Sequence, residues 1–273
     1  LRSSKKYAND AIQVKQMFGG RCARKNNMNT ININENTTLD LLINYFRLSI
    51  NDISESIPDS FDFINSLSKI IKHIKDEESW FKFFTAMDLF EDTQLAKKNF
   101  IEFDIHGPTK YNDIGEKYLR LYGILNAINL KMDSILVISY FSNHGNLKKL
   151  KNDLNQSKII QLRHSAASHN LDCEVDKVKK TYSISQIDLR EGNLALMDSK
   201  SNFSDNYLIP YIKEFDGIVS KELYNSNLRI LKKVPKNSEN KKEISTVLRH
   251  INNFFNNECY FSNVDDKLYT VGF

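Results

Sequence analysis

The chain has 273 residues, 41% of them hydrophobic and 26% charged, with only four prolines and nine glycines. This composition is typical of a soluble globular protein and disfavours a loop-rich or disordered chain. The 38 basic and 34 acidic residues leave a net charge of +4, so a nucleic-acid partner is permitted but not required by charge alone.

The first 60 residues are predicted to form an N-terminal helical extension. Residues 7–18 read as a short helix that ends at Gly19-Gly20, since glycine readily adopts the left-handed conformation of a helix terminus. An asparagine-rich loop over residues 26–36 follows. Thr37-Thr38 should then cap a helix over about residues 39–49.

Residues 61–231 are predicted to form a helical core. Apolar residues three and four positions apart predict helices over 61–75 and 77–90, the second rich in core-packing aromatic residues. The strongest stripe predicts a helix over 113–141, about 40 Å long, packed in a bundle with near-antiparallel neighbours. Its members are Tyr118, Leu121, Leu125, Ile128, Met132 and Ile135. A helix over 147–169 should follow.

The pattern changes after residue 180. Alternating apolar residues over 182–198, with a turn at Glu191-Gly192-Asn193, predict a β-hairpin. A helix over 207–231 then closes the core. Residues 232–273 should form an appendage with a charged linker, a helix over 242–255 and a hairpin that pairs 259–261 with 268–271. The expected fold is therefore mainly α, a helical bundle with one or two small hairpins toward the C-terminus.

The titratable residues predict no metal and no cofactor. Cys22, Cys173 and Cys259 contain no CxxC pair, which fits a reducing cytoplasm without structural zinc. His106 and His144 lack partners at ligand spacing. No phosphate-binding glycine motif and no GxSxG sequence occurs. The longest apolar runs are far shorter than the ~20 residues of a membrane span, so we expect no membrane partner.

Two stretches resemble the HEPN superfamily. The run from Ile159 to Asn170 contains Arg163, His164 and, six positions after the arginine, His169. Residues 107–111 lead into residues 116–127, which look like the long helix before the arginine and histidine helix in abortive-infection-associated HEPN proteins. The two stretches cover roughly residues 107–170. The resemblance implies a helical bundle, metal-independent RNase activity and a homodimer in which two motifs share one cleft.

The chemistry of the three residues agrees with RNA cleavage by attack of the RNA's own 2′-hydroxyl group. His169 titrates near neutral pH and can act as the acid and base, whereas Arg163 keeps its charge and its planar group suits phosphate oxygens. His164 is expected to support them. Six helical positions separate two side chains by about 120° and 9 Å, so one motif is predicted to be half a site.

The leading hypothesis is a cytoplasmic endoribonuclease, a toxin or antiphage effector, that binds RNA and is held in check by an antitoxin. A second is an HEPN protein without catalysis that binds nucleic acid or a partner such as a nucleotidyltransferase. A third is a helical scaffold in which the motif holds a dimer together. For an arginine and a histidine on one helix, a surface pair or a capped terminus is the ordinary alternative.

Overall fold

The computed structural model describes residues 35–58, 62–108, 112–166, 173–175, 178–256, 260–264 and 267–271. Helices dominate these residues, as the composition predicts. The nine described helices are α1 (Glu35–Glu55), α2 (Phe63–Ile70), α3 (Glu77–Phe103), α4 (Ile114–Phe141), α5 (Leu147–Asn155), α6 (Lys158–Ala166), α7 (Gln186–Glu191), α8 (Leu208–Leu231) and α9 (Asn240–Phe255). The mainly α fold class is confirmed.

The described strands form three small antiparallel sheets. They are β1 (Cys173–Val175), β2 (Val178–Lys180), β3 (Tyr182–Ile184), β4 (Leu194–Asp198), β5 (Phe203–Asn206), β6 (Tyr260–Val264) and β7 (Lys267–Val271). Strand β1 pairs with β2 and β6 with β7, while β3, β4 and β5 form a three-stranded sheet in that order. In the three-stranded sheet, Tyr182 of β3 is paired with Asp198 of β4, and Leu194 of β4 is paired with Asn206 of β5. The predicted final hairpin is confirmed.

The long helix α4 agrees with its prediction to within one residue at its start. Leu121, Leu125 and Ile128 on its stripe are buried, with Leu125 entirely inaccessible to solvent. By length and composition this helix could cross a membrane, but 56% of its apolar window is buried inside the protein. That burial suggests the core helix of a soluble protein.

The chain separates into two compact units. The first consists of the described residues within 1–82, 141–143 and 224–273, and the second of those within 83–140 and 144–223. Each has its own buried apolar core: Phe46 and Ile251 are among the core residues of the first, Phe90 and Phe215 of the second. The predicted domain boundaries at residues 60 and 231 remain a prediction.

In the first unit, α1 packs against α9. The Asn227 amide donates to the Leu42 carbonyl oxygen at 3.0 Å. The Tyr45 hydroxyl donates to Glu243 at 3.3 Å, and burial, with the Glu243 charge second, raises the pKa of Tyr45 to about 12. Side-chain hydrogen bonds therefore connect α1 to both α8 and α9.

In the second unit, two side chains of α4 donate hydrogen bonds to backbone carbonyl oxygens before and after this helix in the chain. Lys117 donates to the Arg190 carbonyl oxygen at 2.5 Å, and the Arg120 Nε donates to the Asp104 carbonyl oxygen at 2.8 Å. Gly192 ends α7 with a φ of +86°, and a Cβ there would lie 1.9 Å from His106. Both conditions require glycine at this turn.

Two predictions in the helical part of the chain differ from the structure, and two others fall largely outside the described residues. The predicted helix over 147–169 is two helices, because Ser157 and Gln161 side chains donate to the carbonyl oxygens of Leu154 and Asn155 and end α5. The threonine cap is wrong, since α1 already begins at Glu35. The predicted helix over 7–18 and most of the predicted loop over 26–36 lie outside the described residues.

The predicted hairpin over 182–198 is correct in the pairing of β3 with β4 but wrong between them. Residues 186–191 form α7, because Ser185 caps its first turn through the Asp188 amide and Gly192 ends it. The third strand, β5, was not predicted. The Asp198 carboxylate accepts hydrogen bonds from the backbone N–H groups of Lys200 and Asn202, both at 2.9 Å. These bonds stabilise the turn between β4 and β5.

Candidate functional site

Helix α6 carries the two described residues of the predicted motif. It begins after Ser157, whose carbonyl oxygen accepts the amides of Ile160 and Gln161 at 3.1 Å. Ile159, Ile160, Leu162 and Ala166 are buried. The helix lies beside β3 and α5, so apolar packing fixes the position of the helix that carries Arg163 and His164.

Arg163 lies on the apolar side of α6. Ile159 and Ala166, four positions before it and three after it, are buried, while Arg163 itself is partly exposed. Within the described part of the chain, Arg163 has neither an ion pair nor a hydrogen bond from its guanidinium group. A guanidinium stays charged in proteins. Arg163 is therefore a partly exposed cation on a packed helix.

His164 is partly buried beside Arg163. Burial first, and the positive charge of Arg163 second, lower the pKa of His164 below its usual value. The imidazole is accordingly neutral at pH 7 and keeps one nitrogen that can accept a proton or a hydrogen bond. The structure thus places a fixed cation and a neutral imidazole side by side.

His169 lies outside the described residues, as do Ser168 and Asn170. The six-position pair of Arg163 and His169 therefore remains a prediction, and so does the sharing of one cleft by two copies of the motif. Of the three predicted catalytic residues, the structure brings Arg163 and His164 together on the last turn of α6.

The start of α6 is held against α8. The Lys158 ammonium group lies 3.8 Å from the Glu214 carboxylate and 5.5 Å from the centre of the Tyr211 ring. Both groups of the ion pair are substantially exposed, so the pair is worth at most about 1 kcal/mol. This pair balances the charge of Lys158, whereas Arg163 forms no ion pair with any of the described residues.

The sequence prediction missed a buried charged cluster in the second unit. The Lys97 ammonium group lies 2.6 Å from one Asp216 oxygen, and that of Lys131 lies 3.4 Å from the other. Lys131 also donates to the Gln94 side chain. Lys97 is 1% exposed and Lys131 is inaccessible. The signal was present, because all three charged residues occupy the apolar stripes of α3, α4 and α8.

A second polar cluster surrounds the buried carboxylate of Glu222. The Ser139 hydroxyl donates to one of its oxygens at 2.9 Å, and the His144 Nε2 lies 3.4 Å from the other. The His144 Nδ1 accepts a hydrogen bond from the backbone N–H of Asn146 at 3.0 Å. The neutral ring therefore carries its proton on Nε2. Because the serine faces the carboxylate and not the imidazole, this cluster fixes a turn and does not activate a nucleophile.

A cavity of about 420 Å³ lies between α7 and the start of α8. Asp104, Asp188 and Asp205 give its lining a negative charge, and Tyr207 forms part of its rim. Within the described ranges, no three His, Cys, Asp or Glu residues are grouped as a metal site requires. The negative charge of this cavity disfavours the binding of a phosphate.

No model of a known protein family, no curated protein and no solved structure matches the chain. The resemblance to the HEPN superfamily accordingly depends on the residues of the two stretches. Among the described residues of those stretches, the arrangement most relevant to chemistry is Arg163 beside His164 at the end of a packed helix.

Proposed function

We propose that the chain is a metal-independent endoribonuclease of the HEPN type. The observation that carries this proposal is the partly buried Arg163, which has no carboxylate partner in the described chain and lies beside an imidazole with a lowered pKa. A guanidinium at such a position favours binding of a phosphate over a structural ion pair. The long helix α4, which precedes the motif helix along the chain, supports the same family.

In the proposed reaction, the RNA 2′-oxygen loses its proton and attacks the adjacent phosphorus. Arg163 binds the phosphate oxygens and stabilises the charge that develops on them. The bond from phosphorus to the 5′-oxygen then breaks, and that oxygen is protonated as it leaves. His169 is assigned the proton transfers. His164, neutral at pH 7, supports them as a hydrogen-bonding group next to Arg163.

The biological setting of the proposal follows from the family. The protein would act in the cytoplasm as a homodimer that joins two half-sites, as a toxin or antiphage effector restrained by an antitoxin or paired with a nucleotidyltransferase. RNA bound without cleavage would instead favour a binding protein of the same family.

The test is cleavage of RNA by purified protein in the presence of EDTA. Arg163→Ala should abolish cleavage, and Arg163→Lys should restore only part of it, because an ammonium group loses the planar two-point contact. Arg249→Ala is the matched control, since Arg249 precedes His250 on α9 and likewise lowers the pKa of its neighbour. Equal activity of the Arg163 and Arg249 variants would contradict the proposal and would indicate a structural role for the motif.

A further inference from the structure

Three neighbouring lysines line a shallow groove along α5, the helix immediately before the motif helix. The groove has a volume of about 460 Å³. All three lysines are exposed. The residues that line it are Asn146, Lys148, Lys149, Lys151, Asn152 and Asn155. The lining therefore offers ammonium and amide groups and no apolar or aromatic side chain.

Within the described residues, the lysine groove keeps a net positive charge, because α5 contains three lysines and one aspartate, Asp153. None of Lys148, Lys149 and Lys151 forms an ion pair there. By contrast, Lys97 and Lys158 each pair with a carboxylate. Closely spaced ammonium groups that outnumber the nearby carboxylates produce a local positive field that attracts polyanions.

Helix geometry places most of the groove residues on one side of α5. Lys148, Lys151, Asn152 and Asn155 follow the spacing i, i+3, i+4 and i+7, which puts them on one face. Leu150 and Leu154 are buried on the other side. The apolar side anchors the helix and leaves the row of lysines and amides open to solvent.

The groove also has a fixed connection to the motif helix. The Gln161 side chain of α6 donates to the Asn155 carbonyl oxygen at the end of α5, at 2.7 Å. Buried Ser157 joins the two helices and donates to the Leu154 carbonyl oxygen at 2.6 Å. A chain bound along α5 is thereby held in a defined direction relative to Arg163.

We propose that the lysine groove binds the phosphate backbone of single-stranded RNA and guides the strand toward Arg163, an inference that rests on the proposed function for its substrate. Lysine and amide groups contact phosphates in most nucleic-acid interfaces, and these contacts position the chain without reading sequence. An acidic protein partner fits less well, because protein interfaces are depleted in lysine and depend on apolar or aromatic anchors, which the groove lacks.

The test measures RNA affinity against salt in an Arg163→Ala background, so that cleavage cannot interfere. The probe is a short labelled single-stranded RNA. The variant replaces Lys148, Lys149 and Lys151 with alanine. The slope of log affinity against log salt concentration should become shallower by about 2, because each lost phosphate contact contributes ~0.7. The affinity at low salt should fall about tenfold or more.

The matched control replaces Lys82, Lys221 and Lys242 with alanine. These three are exposed helical lysines outside α5, so both variants lose the same charge. A change confined to the α5 variant supports the inference, even if the parent protein never cleaves RNA. Equal changes in both variants or an unchanged salt dependence overturns it, even if the parent protein cleaves RNA. Absence of RNA binding by the Arg163→Ala background also overturns it. Lysine-dependent binding of polyglutamate without RNA binding also overturns it, in favour of an acidic protein.

Discussion

The buried cluster around Asp216 gives a prediction about what holds the second unit together. Asp216→Asn keeps nearly the same shape but removes the negative charge that the ammonium groups of Lys97 and Lys131 both contact. Lys97 is 1% exposed, so water cannot solvate its ammonium group in place of the lost carboxylate. Loss of one partner of a buried pair costs about 3–5 kcal/mol. Because the Asp216 side chain is 14% exposed, we expect a value near the lower end.

The assay is equilibrium unfolding in urea, followed by circular dichroism. A loss of about 3 kcal/mol corresponds to a fall in Tm of about 6–12 °C. The control is Glu214→Gln, which breaks the exposed pair with Lys158 and should cost at most about 1 kcal/mol. Adding Lys97→Met to Asp216→Asn should recover part of the loss, since it removes a buried cation. Equal costs for the Asp216 and Glu214 variants would refute this account of the cluster.

The remaining predictions concern the core, pH and dimerisation. Leu125→Ala removes a fully buried side chain and should destabilise the protein by about 2–5 kcal/mol in urea unfolding, whereas Leu119→Ala, 74% exposed, should change little. The lowered pKa of His164 favours neutral imidazole in the folded state, so stability should fall as pH drops below about 6.5, and less so in His164→Gln. Sedimentation of the active protein should give a dimer, and a strictly monomeric active species would contradict the shared cleft.

The long helix could be predicted from the sequence because one stripe runs along it without interruption. Leu121, Leu125 and Ile128 lie on one face of α4 and are buried. Burial of this apolar face stabilises a helix of that length. The break between α5 and α6 contains neither glycine nor proline. It arises from side chains that hydrogen-bond to the ending backbone, and such competition is invisible to hydrophobic periodicity.

The environment of the candidate site could not be predicted from the sequence. The motif placed Arg163 and His164 on one helix, yet whether a carboxylate from another element neutralises the arginine is a property of tertiary structure. The same limit applies to the lysines of α5, whose clustering is visible in the sequence. Lys97 and Lys131 show the reverse case, because their stripe positions indicate burial while their shared partner, Asp216, is distant in sequence.

The most direct test of the proposed function is analysis of the ends of RNA fragments produced in EDTA. Attack by the 2′-hydroxyl group predicts a 2′,3′-cyclic phosphate and a 5′-hydroxyl, with no cleavage where the reacting nucleotide lacks its 2′-hydroxyl group. His169→Ala should slow the chemical step by roughly 10²-fold or more, and Arg163→Ala should remove the products. Fragments with 3′-hydroxyl and 5′-phosphate ends, a requirement for a divalent metal, or equal cleavage of DNA would contradict the proposed function.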